Sequence, residues 1–188
     1  MDVESERAWV AGLRRGEATA FDAVYGAYRP RLYGYLARMT GRRDLAEDLL
    51  QETFLRLAQR ARDLRDDTRL GAWLFTVARN AVISNARATR VKAALASELA
   101  GAAEPAAATP FEALSESRTQ VAMERAVASL PPTYREVLLL VAVENMTPAE
   151  AAEVIGIRAD AARQRLSRAR AMLETALGAS AEVSSRFA

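Results

Sequence analysis

Apolar positions recur at helical spacing along most of this chain. Trp9, Val10 and Leu13 lie on one side of a short helix predicted over Glu4 to Arg15, and Gly16-Glu17-Ala18-Thr19 breaks it. Ala20 to Met39 is a longer element, with Phe21, Val24, Tyr25, Tyr28, Leu32, Tyr35, Leu36 and Met39 close to helical spacing. Arg29-Pro30 falls inside it and predicts a bend; Thr40-Gly41 ends it. From Asp44 to about Leu64, the residues Leu45, Ala46, Leu49, Leu50, Phe54, Leu57, Ala58 and Ala61 form a buried side. A polar loop, Asp63 to Arg69, leads to a helix from about Leu70 to Arg90. Its core face is Leu70, Trp73, Leu74, Val77, Ala78 and Ala81.

The pattern changes after Lys92. Residues 93–117 carry four glutamates, two prolines, many alanines and no basic residue. This composition predicts an acidic, largely flexible linker, with transient helix over 93–100. It reads equally well as a passive tether or as a strand that follows a basic channel. Helical spacing resumes from Arg118 to Leu130, stops at Pro131-Pro132, and returns from Thr133 to Val143 with Tyr134, Val137, Leu138 and Val141 inward. Thr147-Pro148-Ala149-Glu150 has the form of a capping box with proline at the first helical position. The helix it starts reaches about Ile155, and Gly156 suits the left-handed residue that ends one. A second helix follows, with Ala162, Leu166, Ala169 and Leu173 as its apolar face; the polar residues from Gly178 predict a frayed tail.

Three polar faces are candidates for binding. Between residues 159 and 173, four arginines stand against Asp160 alone, and Arg163, Gln164, Ser167 and Arg168 face away from the apolar side. A capped short helix, a glycine turn and an Arg/Gln/Ser face describe a helix-turn-helix aimed at DNA; the plainer reading is a solvated arginine face. Asp48, Gln51, Glu52 and Leu55 lie at i, i+3, i+4, i+7 opposite the buried side of their helix. That stripe is either a partner surface or a polar face with one stray leucine. Thr76, Arg79, Asn80, Ile83, Arg87 and Arg90 form a mixed basic face that could line a nucleic-acid strand or be a solvated stripe.

Composition narrows the classes. The 188 residues are 51% hydrophobic with 6% aromatic, enough for real cores and in favour of helices over sheets. A net charge of +2 is not that of a general polycation, so the placement of charge decides what is bound. With no cysteine and no histidine, the chain forms no disulfide, no Cys/His zinc site and no Ser-His or Cys-His nucleophile pair. No nucleophile-base constellation, metal-ligand cluster, cofactor loop or small-molecule site stands out. The N-terminus lacks a signal-peptide core, and the longest apolar run, residues 137–143, is far short of a membrane span. The expectation is a cytoplasmic binding protein, without membrane insertion, rather than an enzyme.

Taken together, the motifs resemble one family, the bacterial extracytoplasmic-function sigma factors of RNA polymerase. The resemblance rests on Phe21-Asp22-Ala23-Val24-Tyr25 with Tyr28, on residues 46–55 (AEDLLQETFL), on residues 72–80 (AWLFTVARN), on residues 130–137 (LPPTYREV) and on the stretch from Thr147 to Arg170. It covers both halves of the chain in order. It implies an all-α fold of two small helical domains joined by a flexible linker. Residues 1–92 would be the region 2 domain, 93–117 the linker, and 118–177 a region 4 helix-turn-helix domain of winged-helix-like, four-helix form. Residues 178–188 would be a tail.

The resemblance also assigns roles. Asp48, Gln51, Glu52 and Leu55 would dock on the β′ clamp helices of core RNA polymerase; the β flap is a second polymerase contact. Thr76, Arg79, Asn80, Ile83 and Arg87 would face the −10 element, and the loop near Arg65 to Arg69 would capture a flipped base. Arg163, Gln164, Ser167 and Arg168 would face bases and nearby phosphates of the −35 element, with Arg165 and Arg170 holding phosphates. A dedicated anti-sigma factor would be the controlling partner. Two stretches leave the family pattern. Residues 84–90 (SNARATR) replace an acidic-aromatic-arginine run, and Asp160-Ala161-Ala162 replaces Gly-Thr-Val at the start of the recognition helix. Asp160 could accept from a cytosine amino group or favour a helix N-terminus. The rivals are an autonomous helix-turn-helix regulator, which leaves residues 20–92 without a role, and a protein-only helical adaptor, which leaves Arg163 to Arg170 unexplained.

Overall fold

The computed structural model describes residues 3–99 and 118–186, and every regular element among the described residues is helical. In chain order these are α1 (Val3–Arg15), α2 (Ala18–Thr40), α3 (Arg43–Arg60), a 3-10 turn (Ala61–Asp63) and α4 (Leu70–Leu99). There follow α5 (Arg118–Ser129), α6 (Pro132–Leu138) running into a π-helical segment (Leu139–Val143), α7 (Pro148–Ile155) and α8 (Ala159–Arg186). The chain is thus all-α. It divides into two units, the first built from residues through Leu36 with those from Asp44 into α4. Ala37–Arg43 groups with α5 to α8 in the second.

In the first unit, Glu4 and Glu6 open α1 and Arg14 and Arg15 close it, matching the helix dipole at both ends. Gly16 (φ 76°) and Gly41 (φ 69°) supply the left-handed residues that stop α1 and α2. The core is Val10, Leu13, Val24, Tyr28, Leu32, Leu57, Leu70, Leu74 and Phe75, all buried. Tyr28 joins three helices. Its hydroxyl donates to the Glu6 carboxylate of α1, and the Arg31 guanidinium lies 5.1 Å from its ring centre. A Cβ on Gly71 of α4 would stand 3.0 Å from the same hydroxyl, so the glycine makes room for it. Tyr35 meets Phe75 edge to face at 5.5 Å.

The helix of residues 18–40 runs through Pro30 without a break, as its sequence predicts. Several expectations change here. Ala58 is exposed, not buried, because the interior side of α3 centres on Thr53 and Leu57 and leaves Ala58 at its edge. Thr53 enters the core because its hydroxyl donates to the Leu49 carbonyl at 2.7 Å, leaving no unpaired polar group. Phe75 also joins the core. Residues 93–99, expected to begin a linker, continue α4, since an alanine-rich run without glycine or proline favours helix. Residues 100–117 lie outside the described residues.

Among the described residues, the second unit contains α5 to α8. Pro132 occupies the first turn of α6, and Arg135 donates to the carbonyls of Ala128 and Leu130, satisfying the open C-terminal end of α5. Val137, Leu138, Leu139 and Leu140 are buried in succession, so this helix is enclosed on nearly all sides. Helix α8 continues to Arg186, past the tail expected from Gly178. One glycine costs about 1 kcal/mol in a helix, too little to stop one already five turns long.

Burial raises the pKa of the Tyr28 phenol, with the Glu6 carboxylate adding to the effect. The folded state therefore keeps the proton that the unfolded chain releases near pH 10. This contribution to stability is complete below pH 10 and falls as pH rises above it. Urea unfolding at pH 8 and 10.5 is expected to show a larger alkaline loss for the wild type than for Tyr28→Phe; equal losses would contradict the assignment.

Candidate nucleic-acid interface

Helices α7 and α8 form a tightly specified pair. The Thr147 hydroxyl accepts from the Glu150 N–H at 3.2 Å, and the Glu150 carboxylate accepts from the Thr147 N–H at 2.8 Å. Gly156 sits at φ 75°, with its N–H on the Ala152 carbonyl at 2.8 Å. Ala151, Ala152 and Ala162 are buried, and their small side chains let the two helices approach closely. Leu166 and Ala169 complete the buried side of α8, with Leu173 half-buried.

That packing turns Arg163, Gln164, Ser167, Arg168 and Arg170 out to solvent, and leaves Arg165 half-buried on the other flank. The exposed set forms two rows. Arg163, Ser167 and Arg170 line a shallow groove against Pro148 of α7, with Leu166 as part of its floor and Glu174 at one end. Gln164 and Arg168 lie on the next row outward, four residues apart. Sequence spacing alone missed the groove and Glu174, because which flank of α8 faces α7 depends on the packing. Asp160 accepts from the Arg158 guanidinium at 2.9 Å and from the Ala161 N–H at 2.9 Å, so its carboxylate is engaged at the helix start.

On α4, burial of Leu70, Leu74, Phe75, Ala78 and Ala81 leaves Thr76, Arg79, Asn80, Ile83 and Arg87 together on the opposite face. Asn80 and Arg87 are exposed; Thr76, Arg79 and Ile83 are half-buried. The Thr76 hydroxyl donates to the Ala72 carbonyl at 2.8 Å, so only its lone pairs remain for a ligand. The loop before α4 is held at both ends. Leu64 is buried, and the Trp73 N–H bonds the Arg69 carbonyl at 3.0 Å. Within it, Arg65 and Thr68 exchange bonds at 3.0 Å, the Arg65 guanidinium grips Asp67 at 2.9–3.0 Å, and Arg14 of α1 pairs with Asp66. Arg14, Arg62 and Arg65 share a concavity with Asp63, Asp66 and Asp67.

On α3, the four residues of the polar stripe share the face opposite the core. Asp48 and Gln51 are exposed, Glu52 holds Arg56 at 2.6 Å, and Leu55 keeps 59% of its surface in solvent. Tyr25, packed 4.7 Å from the Phe54 ring, is also 41% exposed. No helix among the described residues is long and apolar enough to cross a membrane.

These surfaces coincide with two known modules. Residues 24–91 match the family model of Sigma-70 region 2, and residues 120–173 match that of Sigma-70 region 4. RNA polymerase sigma factor CarQ of Myxococcus xanthus is 36% identical over 166 residues, covering 88% of this chain and 94% of CarQ. With the ECF sigma factor SigL also 32% identical, the chain belongs to the extracytoplasmic-function sigma factors. The ECF RNA polymerase sigma factor SigL of Mycobacterium tuberculosis is 32% identical over 159 residues, covering 84% of this sigma factor and 88% of SigL. Among solved structures, RpoE of Bartonella quintana, in complex with the anti-sigma factor NepR, superposes with a TM-score of 0.70. It is 25% identical, and the match covers 84% of this chain and 96% of that one. As a sigma factor the protein binds core RNA polymerase and directs it to promoter DNA; it is a regulatory DNA-binding protein, and the autonomous-regulator reading is not favoured. Helix α1 and residues beyond 173 lie outside the two matched modules.

Two substitutions test this geometry. Leu55→Ala is expected to change stability by no more than about 0.5 kcal/mol, as at other surface positions. Leu57→Ala, two residues away and buried, costs about 2–5 kcal/mol; urea unfolding reads both. Gly156→Ala should cost about 1–2 kcal/mol through its left-handed backbone alone, with Gly156→Asn costing less. A loss in Gly156→Asn as large as in Gly156→Ala would point to steric crowding instead.

Proposed function

We propose that this sigma factor grips core polymerase and promoter DNA through three helix faces, each opposite a buried core. The carrying observation is Leu55. A leucine left more than half exposed, flanked on its own stripe by Asp48, Gln51 and Glu52, suits a protein partner better than water. In this reading the stripe docks on the β′ clamp helices, while the second unit meets the β flap. The α4 face of Thr76, Arg79, Asn80, Ile83 and Arg87 follows the −10 strand. The braced loop at residues 65–69 receives an extruded base, whose unstacking costs a few kcal/mol that its contacts must offset. Helix α8 enters the major groove of the −35 element through Arg163, Gln164, Ser167 and Arg168, with Arg165 and Arg170 on phosphates.

The protein itself performs no covalent step; metal and nucleotidyl transfer come from the polymerase, and the protein works in the cytoplasm. The anti-sigma partner of the RpoE relative supports a controlling protein of that kind here.

Run-off transcription with purified core polymerase, with and without this chain, is expected to give promoter-dependent product only with it. Asp48→Ala with Gln51→Ala should weaken core binding about tenfold, the effect of losing one good interface contact, while the second unit stays folded. Unchanged core affinity in the double variant would remove the docking assignment.

A further inference from the structure

We propose that α1 braces the loop ahead of α4, and that Arg14 is the residue that positions this loop, acting through Asp66. This rests on the reading of residues 65–69 as the receiver of an extruded base. Helix α1 lies outside the region 2 match, which starts at residue 24, yet it meets the loop at its entry, its middle and its exit. At the entry, the Arg62 guanidinium of the 3-10 turn lies 3.9 Å from where a Cβ on Gly16, just past α1, would stand. In the middle, Arg14 of α1 pairs with Asp66. At the exit, a Cβ on Gly71 would stand 3.5 Å from the Glu6 carboxylate of α1, which accepts from the Tyr28 hydroxyl. Glu6 and Arg14 are eight residues apart on one helix, about 12 Å, so a single rigid element reaches all three points.

The brace is itself anchored, because Val10 and Leu13 of α1 are buried, as are Ala61 and Leu64 at the start of the loop. The bonds of Arg65 to Asp67 and Thr68 close within the loop. They shape its tip without fixing that tip against the rest of the unit. Arg14–Asp66 does fix it, since it joins residues 52 apart in the chain. The two side chains keep 39% and 82% of their surface in solvent, so the pair adds little to stability. Its effect is on where the loop rests. A loop held in place before DNA arrives has less freedom to lose on binding, and more of the contact energy appears as affinity. Arg14 also lines the concavity formed with residues 62–67, so α1 supplies part of the wall that an extruded base would meet.

The test uses holoenzyme reconstituted from core polymerase and the full chain. The probes are single-stranded oligonucleotides with the non-template −10 sequence of a promoter recovered by run-off transcription. One is intact, and in the others each base in turn is replaced by an abasic sugar. Wild-type holoenzyme should lose roughly 5- to 150-fold in affinity at the position whose base enters the loop. Arg14→Ala should bind the intact strand about 2- to 10-fold more weakly, the cost of ordering a side chain on binding, and bind that abasic strand as the wild type does. Asp66→Ala should show the same loss, and the two substitutions together no more than either alone. Arg14→Asp with Asp66→Arg should restore binding. Core affinity and the midpoint of urea unfolding should stay unchanged in every variant, which separates positioning from loss of fold. If Arg14→Ala keeps the full abasic penalty, or Asp66→Ala tightens binding, α1 does not position the loop, although the loop still receives a base. If no abasic position weakens wild-type binding, the base-receiving reading itself falls, and the brace with it.

Discussion

Burial of Leu49, Leu50, Thr53, Phe54 and Leu57 holds α3 in one rotation about its axis. An α-helix turns about 100° per residue, so a fixed core stripe leaves no freedom in where Asp48, Gln51, Glu52 and Leu55 point. The same constraint acts on α4 through Leu70, Leu74, Phe75 and Ala81, and on α8 through Ala162, Leu166 and Ala169. Each of these polar faces is the complement of a buried one. Rotation of any of these helices would need large apolar side chains to leave their packed positions, at costs of several kcal/mol each.

The faces gain from being carried on helices whose ends are also fixed. Thr147, Glu150 and Gly156 specify where α7 starts and stops, so the register of α8 against it is set by backbone hydrogen bonds and one left-handed residue. The loop ahead of α4 is short, anchored by Leu64 and laced by its own Arg65–Asp67 pair. Polar surfaces held in this way need little ordering to meet a ligand, which keeps more of the contact energy for affinity. The Tyr28–Glu6–Gly71 junction gives α1 a role in this framework even though it lies outside the matched modules.

Charge is distributed by the same logic. With a net charge of only +2, the protein binds DNA through local fields rather than bulk attraction. Arg14, Arg15, Arg56, Arg65 and Arg158 hold acidic neighbours, and those exposed pairs contribute little to stability. On α8, Arg163, Arg168 and Arg170 are exposed and Arg165 is half-buried.

Much of the fold was legible because helical burial is periodic. The caps of α7, the glycine stops and the polar stripes follow from residue type and spacing, and the resemblance joined them into one family. The misses have a physical pattern. Thr53 and Phe75 entered the core, and Ala58 left it, because the centre of a buried stripe depends on what packs against it. Helix α4 outran its expected end because local helix propensity persists where no breaker stands, and α8 did so despite Gly178. Sequence by itself determined which residues share a helix face, since that depends only on the 3.6-residue turn. Tertiary structure alone decided which flank of α8 meets α7, and so brought Arg163, Ser167, Arg170 and Glu174 into one groove, because that contact joins side chains from two helices whose relative rotation is set by packing.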